Sequence, residues 1–499
     1  MANGTATAIK TRKNALAMAT WDTTLLWYAR AVGEMKSRPL TDPTSWRYLA
    51  AIHGFTLDPN EDASAVVYWK QWTQKQKLPG KTDQNTFWKR CQHGSWYFLP
   101  WHRMYLGYFE QIVGKFIVGL GGPADWALPY WNYNQGKDSG LPAAFYQPNL
   151  PDNSPNSLLE PSRNPGRNNG DLFLKPPDVT PSAAFDDHDF AGQTRGGSPG
   201  FGGPVTRFEH DGRNHGLLEQ QPHDVVHDEV GGVMGDPVTA GYDPIFWLHH
   251  ANIDRLWQIW LKSDPSNANP SGPAWQQFGF NFHNATGSTS ALKPADVLET
   301  TVAPFYYQYD DLSLPDGVTP TPTPVSGKAV AIAEQTPKTL MTQDAIPEMV
   351  GASSEATPLA GKAKTLSLRL FPMSGPMTRL KAVGTISTRK AFLHVENIRG
   401  KGRPSSYDVY LNVPEGAGKF SDQFRVGIIP TFGLEQASAA TERHPGNGLH
   451  FTFNVTKLVN LLAAGKNWDP ETVRVTFVPR RKPAEKSYIE VGRVSLFYV

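Results

Sequence analysis

Fourteen histidines stand in this 499-residue chain, and a few of them fall into patterns that can do chemistry. "HDVVH" sets His223 and His227 four residues apart, one above the other on a helix face, which is ligand geometry. "DPIFWLHHANIDRLW" (residues 243–257) carries the adjacent pair His249 and His250. Neighbours on a helix point about 100° apart, so only one of the two is expected to serve a shared site. His93 and His102 come nine apart ahead of and inside a further helix, and His53 ends another. Any single histidine here is most simply a hydrogen-bonded core or surface residue, and one HxxxH pair is weak on its own. Four helices that each turn one or two imidazoles inward are a different matter, because bundle cores hold metals that way. An all-imidazole donor set suits zinc, copper, iron or nickel. There is no CxxC and no Glu-x-x-His pair of the di-iron kind, so spacing alone stops at a histidine-rich bundle site for one or two metal ions.

The elements that must position these residues are legible from periodicity. "SWRYLAAIHGF", "WHRMYLGYFEQIVGKFIVGL", "HDVVHDEVGG" and "IFWLHHANIDRLWQIWLK" carry apolar residues at helical spacing. Pro100 and the Asp243-Pro244 pair are helix-start signals. Long Gly/Pro/Asn-rich loops such as 136–206 separate them. The expected fold is multidomain: a mainly α-helical core over 1–313, its four-helix bundle holding the metal site, then a linker and an all-β sandwich. The linker, 314–364, opens with "LPDGVTPTPTPVSG" and stays small and polar. From 365 to 499, "TLSLRLF", "AFLHVENI", "YDVYLNV", "FRVGII", "HFTFNV", "VRVTFV" and "RVSLFYV" are short β-rich runs punctuated by Gly, Pro and Asn.

Composition narrows the partners. Lys and Arg number 48 against 46 Asp and Glu, a balance that argues against nucleic acid or an anionic membrane as partner. The single cysteine, Cys91, excludes a disulfide-stapled scaffold. No long apolar run and no signal-peptide pattern are seen, so a cytoplasmic product is expected, with export alongside a partner protein leaving no mark; homo-oligomer formation is left open.

Two long motifs go further than spacing. "HGSWYFLPWHRMYLGYFE" and "LLEQQPHDVVHDEVGG…DPIFWLHHANIDRLW", in that order, resemble the two copper motifs of tyrosinases and polyphenol oxidases, the type 3 copper proteins. The resemblance covers residues 9–312 and continues more weakly to the C-terminus. It implies two copper ions per chain, the first on His53, His93 and His102 and the second on His223, His227 and His250, with O2 as co-substrate. It makes His250 the ligand of the adjacent pair and His249 a packing or supporting residue facing elsewhere. The implied activity is o-hydroxylation of monophenols and oxidation of o-diphenols to o-quinones, so the expected partner is a small phenol. The alternatives are a catechol oxidase without efficient monophenolase activity, an o-aminophenol oxidase, or a hemocyanin-like O2 carrier.

The same resemblance assigns further roles. "C-x-H" at Cys91 and His93 matches the spacing at which fungal tyrosinases and molluscan hemocyanins join the cysteine sulfur to the ligand ring by a thioether. Glu219 in "EQQPH" matches the glutamate that holds a water near the copper. Asp224 takes a position where Asn is common in efficient tyrosinases, which puts monophenolase strength in question. Pro237 and Val238 fall at the gate over the second copper, where Phe is frequent in plant catechol oxidases, and imply a more open entrance. Tyr307 and Tyr309 resemble the Y-x-Y element that closes the catalytic core, with Arg12 expected to stack on it. "SSYDVYLNVPEG" and "VRVTFVPR" resemble the C-terminal shielding domain of latent plant polyphenol oxidases, which inserts an apolar side chain over the coppers. Phe432 is the expected plug, with Phe371 and Met373 as rivals.

Overall fold

The computed structural model describes residues 8–59, 61, 63–192, 196–210, 212–319, 347–371, 389–414, 420–440, 445–464 and 472–499. The expected helix signals act as read. Ser45 caps the Trp46–His53 helix by accepting the Tyr48 N–H, and Asp243 caps the Pro244–Ser263 helix by accepting the Ile245 N–H with Pro244 in the first position. The Phe98–Gly119 helix begins two residues before Pro100 and is buried along most of its length. These helices pack with Thr23–Ser37 around an aromatic core. Trp247 stacks flat on Phe109 at 3.5 Å, so two of the site-bearing helices are locked face to face by large rings. Long loops wrap this core, and no helix among the described residues is long and apolar enough to cross a membrane.

The two ends of the core are tied together. Lys10–Arg12 pairs in parallel with Tyr307–Tyr309, Arg12 opposite Tyr309. The Arg12 guanidinium lies 3.5 Å over the Tyr307 ring, donates to Glu110, and bonds the Tyr309 hydroxyl at 3.0 Å. Asp254 of the Pro244–Ser263 helix accepts from both tyrosines and from Arg103. The Y-x-Y element thus holds two long helices in register through fully buried charge, as its motif implied.

The C-terminal region is all-β, with its own hydrophobic core. All seven β-rich runs form strands of one nine-stranded antiparallel sheet. The sheet rolls toward closure: its edge strands Arg425–Ile429 and Leu449–Asn454 approach so closely that a side chain at Gly427 would meet the Phe453 ring at 2.8 Å. Two further strands, Glu348–Ala352 and Thr357–Pro358, lie inside the stretch that composition reads as linker. They pair with Tyr488–Tyr498 in the middle of the sheet, a long-range partner that a short, small-residue segment does not announce.

Arg12 neutralises two buried carboxylates. Arg12→Ala leaves Glu110 and Asp254 without it and is expected to cost about 3–5 kcal/mol in denaturant unfolding of the core. Tyr309→Phe removes one hydroxyl and should cost about 1–3 kcal/mol. Equal midpoints for both variants and the parent would contradict the tie.

Candidate metal centre

The six histidines that the motifs single out come together. His53 ends its helix, His93 lies in the loop before Phe98–Gly119, and His102 sits in that helix's second turn. His223 and His227 follow a sharp kink at Gln221 ahead of Pro222, and His250 lies mid-way along Pro244–Ser263. All six are at most 4 % exposed. His53 Nε2 is 3.4 Å from His93 Nε2, His223 Nε2 is 3.1 Å from His227 Nε2, and the His102 and His250 rings stack at 4.2 Å.

The outer hydrogen bonds decide which nitrogen faces inward. His53 Nδ1 donates to the Pro237 carbonyl, His102 Nδ1 to Phe98 and His227 Nδ1 to Met234, at 2.7–2.8 Å. A carbonyl only accepts, so each Nδ1 carries the hydrogen and each Nε2 is a bare lone pair. Burial holds His53, His102, His223, His227 and His250 well below the ordinary imidazole pKa, so these rings stay neutral, the ligating form. His102 Nε2 and both nitrogens of His250 are buried with no hydrogen-bond partner. Lone pairs that converge without protons repel; a cation between them resolves this, and the all-imidazole donor set fits copper.

Gly54 makes one of these bonds geometrically accessible. A side chain there would meet Val238 Cα at 2.4 Å and the Pro237 carbonyl at 2.7 Å, so the bare backbone lets the Pro237–Val238 turn close onto His53. Val238 is buried, and its carbonyl accepts from Trp69.

One residue sits differently from its motif reading. His249 does not face elsewhere: its ring lies 5.2 Å from His223 and 4.9 Å from His227, with Nδ1 on the Tyr133 hydroxyl. The two side chains diverge from the backbone, yet both rings reach His223, His249 at 5.2 Å and His250 at 4.9 Å. Glu219 and Asp224 are buried against the cluster, each on a histidine ring. Glu219 accepts from His93 Nδ1 at 2.9 Å and from the Gly94 N–H, and Asp224 accepts from His223 Nδ1 at 2.8 Å. Such carboxylate–imidazole pairs fix ring orientation and raise ligand basicity. Burial pushes the Glu219 carboxyl up to about 7 and raises Asp224 well above its usual range, the Glu219 charge adding to the second shift. A nearby cation draws both back to carboxylates.

Cys91 is buried, its sulfur within 4.8 Å of the ring nitrogens of His53 and His93 and 3.2 Å from His210 Nδ1. Phe432, on a C-terminal-domain loop, belongs to the core's hydrophobic cluster, and its ring stacks on His227 at 4.0 Å and 19°. Phe371 is 42 % exposed and far less suited to cover a buried site; Met373 lies outside the described residues. Sequence reasoning missed His215, which bonds Asp224, and the seam that seats the Phe432 loop. There Asp228 accepts the Thr431 N–H at 2.6 Å, Arg481 pairs with Glu229, and Arg425 and Arg480 both grip Asp178.

A buried hexahistidine cluster in a helical core, with a β domain seated over it, has the donor set and burial of a metal-binding site. Residues 43–263 match the family described as the common central domain of tyrosinase, and 346–499 match a domain of unknown function. The chain is 38 % identical to tyrosinase HcTyr1 of Hahella sp. (strain CCB-MM4), over 98 % of this chain and 99 % of that protein. It is 31 % identical to the latent form of chloroplastic polyphenol oxidase from Prunus armeniaca, over 81 % of this chain and 65 % of that protein. The fold is that of latent apple tyrosinase, with a TM-score of 0.60 at 21 % identity over 99 % of this chain and 97 % of that one. The chain belongs to the tyrosinase family of type 3 copper oxidoreductases.

His227→Ala and His250→Ala are each expected to lower copper content from two toward one per chain and to abolish turnover. His249→Ala should keep both metals, because the Tyr133 hydroxyl, unlike a carbonyl, can donate to its Nδ1 and leave the ring hydrogen on Nε2. Metal analysis after dialysis checks this; full copper in either of the first two variants, or loss of a metal in the third, would reassign the ligands.

Proposed function

We propose that this chain binds two copper ions, one on His53, His93 and His102 and one on His223, His227 and His250, and uses O2 to oxidise phenols. Tyrosine-like monophenols are hydroxylated at the ortho carbon and o-diphenols are oxidised to o-quinones. The observation that carries this reading is the set of bare, buried Nε2 atoms converging on one space. Copper bound there supplies the redox chemistry, passing electrons from the phenol to O2. Neutral ligands leave the metal charge unopposed in the inner sphere, which favours a phenolate. Glu219 and Asp224 border the site and are assigned to steering the water that takes the phenol's proton, and Pro237 with Val238 to its entrance. The Cys91 sulfur is assigned to a thioether with His93, which leaves the intact mass two hydrogens light. One observation favours the neighbouring reading of a catechol oxidase with weak monophenolase activity: each oxygen of Asp224 already accepts an imidazole N–H.

We further assign residues 1–313 to catalysis, the stretch from 314 to a linker, and the rolled sheet to a lid. The stack of Phe432 on His227 supports it as the plug, because a phenol ring would compete for that face. The Arg425–Asp178 and Arg480–Asp178 pairs support a docked, latent resting form. A histidine pair, His394 buried and His450 partly so, adds pH sensitivity to the seam. The His394 ring bonds the His450 ring at 2.9 Å, and the backbone N–H of His450 donates to the Arg213 carbonyl of the core. Burial lowers His394 to about 3 and His450 to about 4. Released, each would titrate near 6.5. Docking therefore has its full stability above about pH 6.5 and loses it as pH falls toward those lowered values. Asp228, raised by burial to about 6, acts in the opposite sense, one carboxyl against two imidazoles.

Initial rates of O2 uptake on tyrosine, a catechol and an o-aminophenol, measured side by side, test the activity. Catechols should be fastest, with tyrosine slower, and Asp224→Asn should raise the monophenol-to-diphenol ratio. A copper-loaded protein that binds O2 without turning over any of the three would be a carrier.

Cleavage in the linker should raise catechol activity at equal copper content, and Phe432→Ala should raise it without cleavage. The intact protein should approach the cleaved one as assay pH drops from about 6.5 to about 4.5. Activity unmoved by cleavage in a folded, copper-loaded core would remove the lid.

A further inference from the structure

One buried histidine stands beside the carboxylates of both triads. His215 is 3 % exposed and belongs to neither ligand triad. Its Nδ1 lies 2.6 Å from Asp224 Oδ2 and 3.9 Å from Glu219 Oε1, and its Nε2 is 3.2 Å from the Gly212 carbonyl. Its own carbonyl accepts from Gln220 at 2.7 Å, next to Glu219 in the chain. The segment is pinned from the lid as well: Asn214 bridges His450, and Phe451 sits at the His215 ring edge.

We infer that His215 is a positioning residue shared by the two halves of the centre. Glu219 orients His93 and Asp224 orients His223, and the His215 N–H stands between those two carboxylates. Like charges brought together in a dry interior repel, and a carboxylate with one oxygen unheld can rotate about its Cβ–Cγ bond. His215 meets both through one N–H: it donates to Oδ2 of Asp224, so that Oδ1 stays on His223, and the same group lies 3.9 Å from Glu219 Oε1, placing a positive hydrogen between the two carboxylates without a bond to Glu219. Orientation of His223 thereby depends directly on a side chain outside both triads, and so does the close approach of the two carboxylates that serve them. The inference rests on His93 and His223 being copper ligands.

The test compares His215→Leu, which removes the N–H at similar bulk, with His215→Asn, which keeps an N–H near the Nδ1 position. Copper retained against a graded competing chelator is measured by metal analysis, and folding of each apo-protein by thermal unfolding. Leucine is expected to weaken copper retention about 10- to 100-fold, and asparagine to recover most of it. His215→Ala carries the same expectation and keeps the comparison open if leucine prevents folding. A folded leucine or alanine variant that holds both coppers like the parent would overturn the inference, as would an asparagine variant no better than leucine. A parent protein that binds no copper would instead overturn the ligand assignment itself.

Discussion

The structure depends on a convergence of imidazole lone pairs that a bound cation resolves. Three imidazoles are held by backbone carbonyls in the tautomer that turns a bare Nε2 inward, and two more are held the same way round by Glu219 and Asp224. Nitrogens 3.1 and 3.4 Å apart then present lone pairs to each other in a dry interior. Unsatisfied buried polar atoms are costly, and a protein tolerates a cluster of them where a ligand completes it. The surrounding architecture serves to hold that arrangement rigid: stacked aromatic rings lock the helices, and the Arg12–Glu110–Asp254 charge cluster ties the chain's ends across them.

Chemistry at such a centre has to be aimed and restrained. On the proposed reading, aim comes from the carboxylates, which hold histidine rings while bordering the space where substrate would lie, and restraint from the β domain, which has a core of its own yet gives Phe432 to the other one. That loop is seated by charge and hydrogen bonds: Thr431 on Asp228 and Arg481 on Glu229, both acceptors immediately following His227 in sequence. The seam is polar and therefore reversible, as inter-domain contacts within one chain tend to be.

Much of this is legible in the sequence because it is local. The helix caps at Ser45 and Asp243, the i, i+4 pair His223/His227 and the seven alternating strands each depend on residues a few places apart. The copper motifs and the Y-x-Y element are legible because their order and spacing match a family. What is not legible depends on contacts across the fold. His249 joins the cluster because His223 and His227, from another segment, pack against it as well as against His250. His215 gains meaning only once the chain brings it between Glu219 and Asp224. Two strands hide in a small, polar stretch because their partner is more than a hundred residues away.

The central claim is that two metal ions sit among these six imidazoles. Anomalous scattering from a crystal of the copper-loaded protein, collected at the copper edge, tests it most directly. Two peaks are expected, one coordinated by His53, His93 and His102 and the other by His223, His227 and His250, with His249 bound to neither. A single peak, or a second metal held by His249 in place of His250, would contradict it.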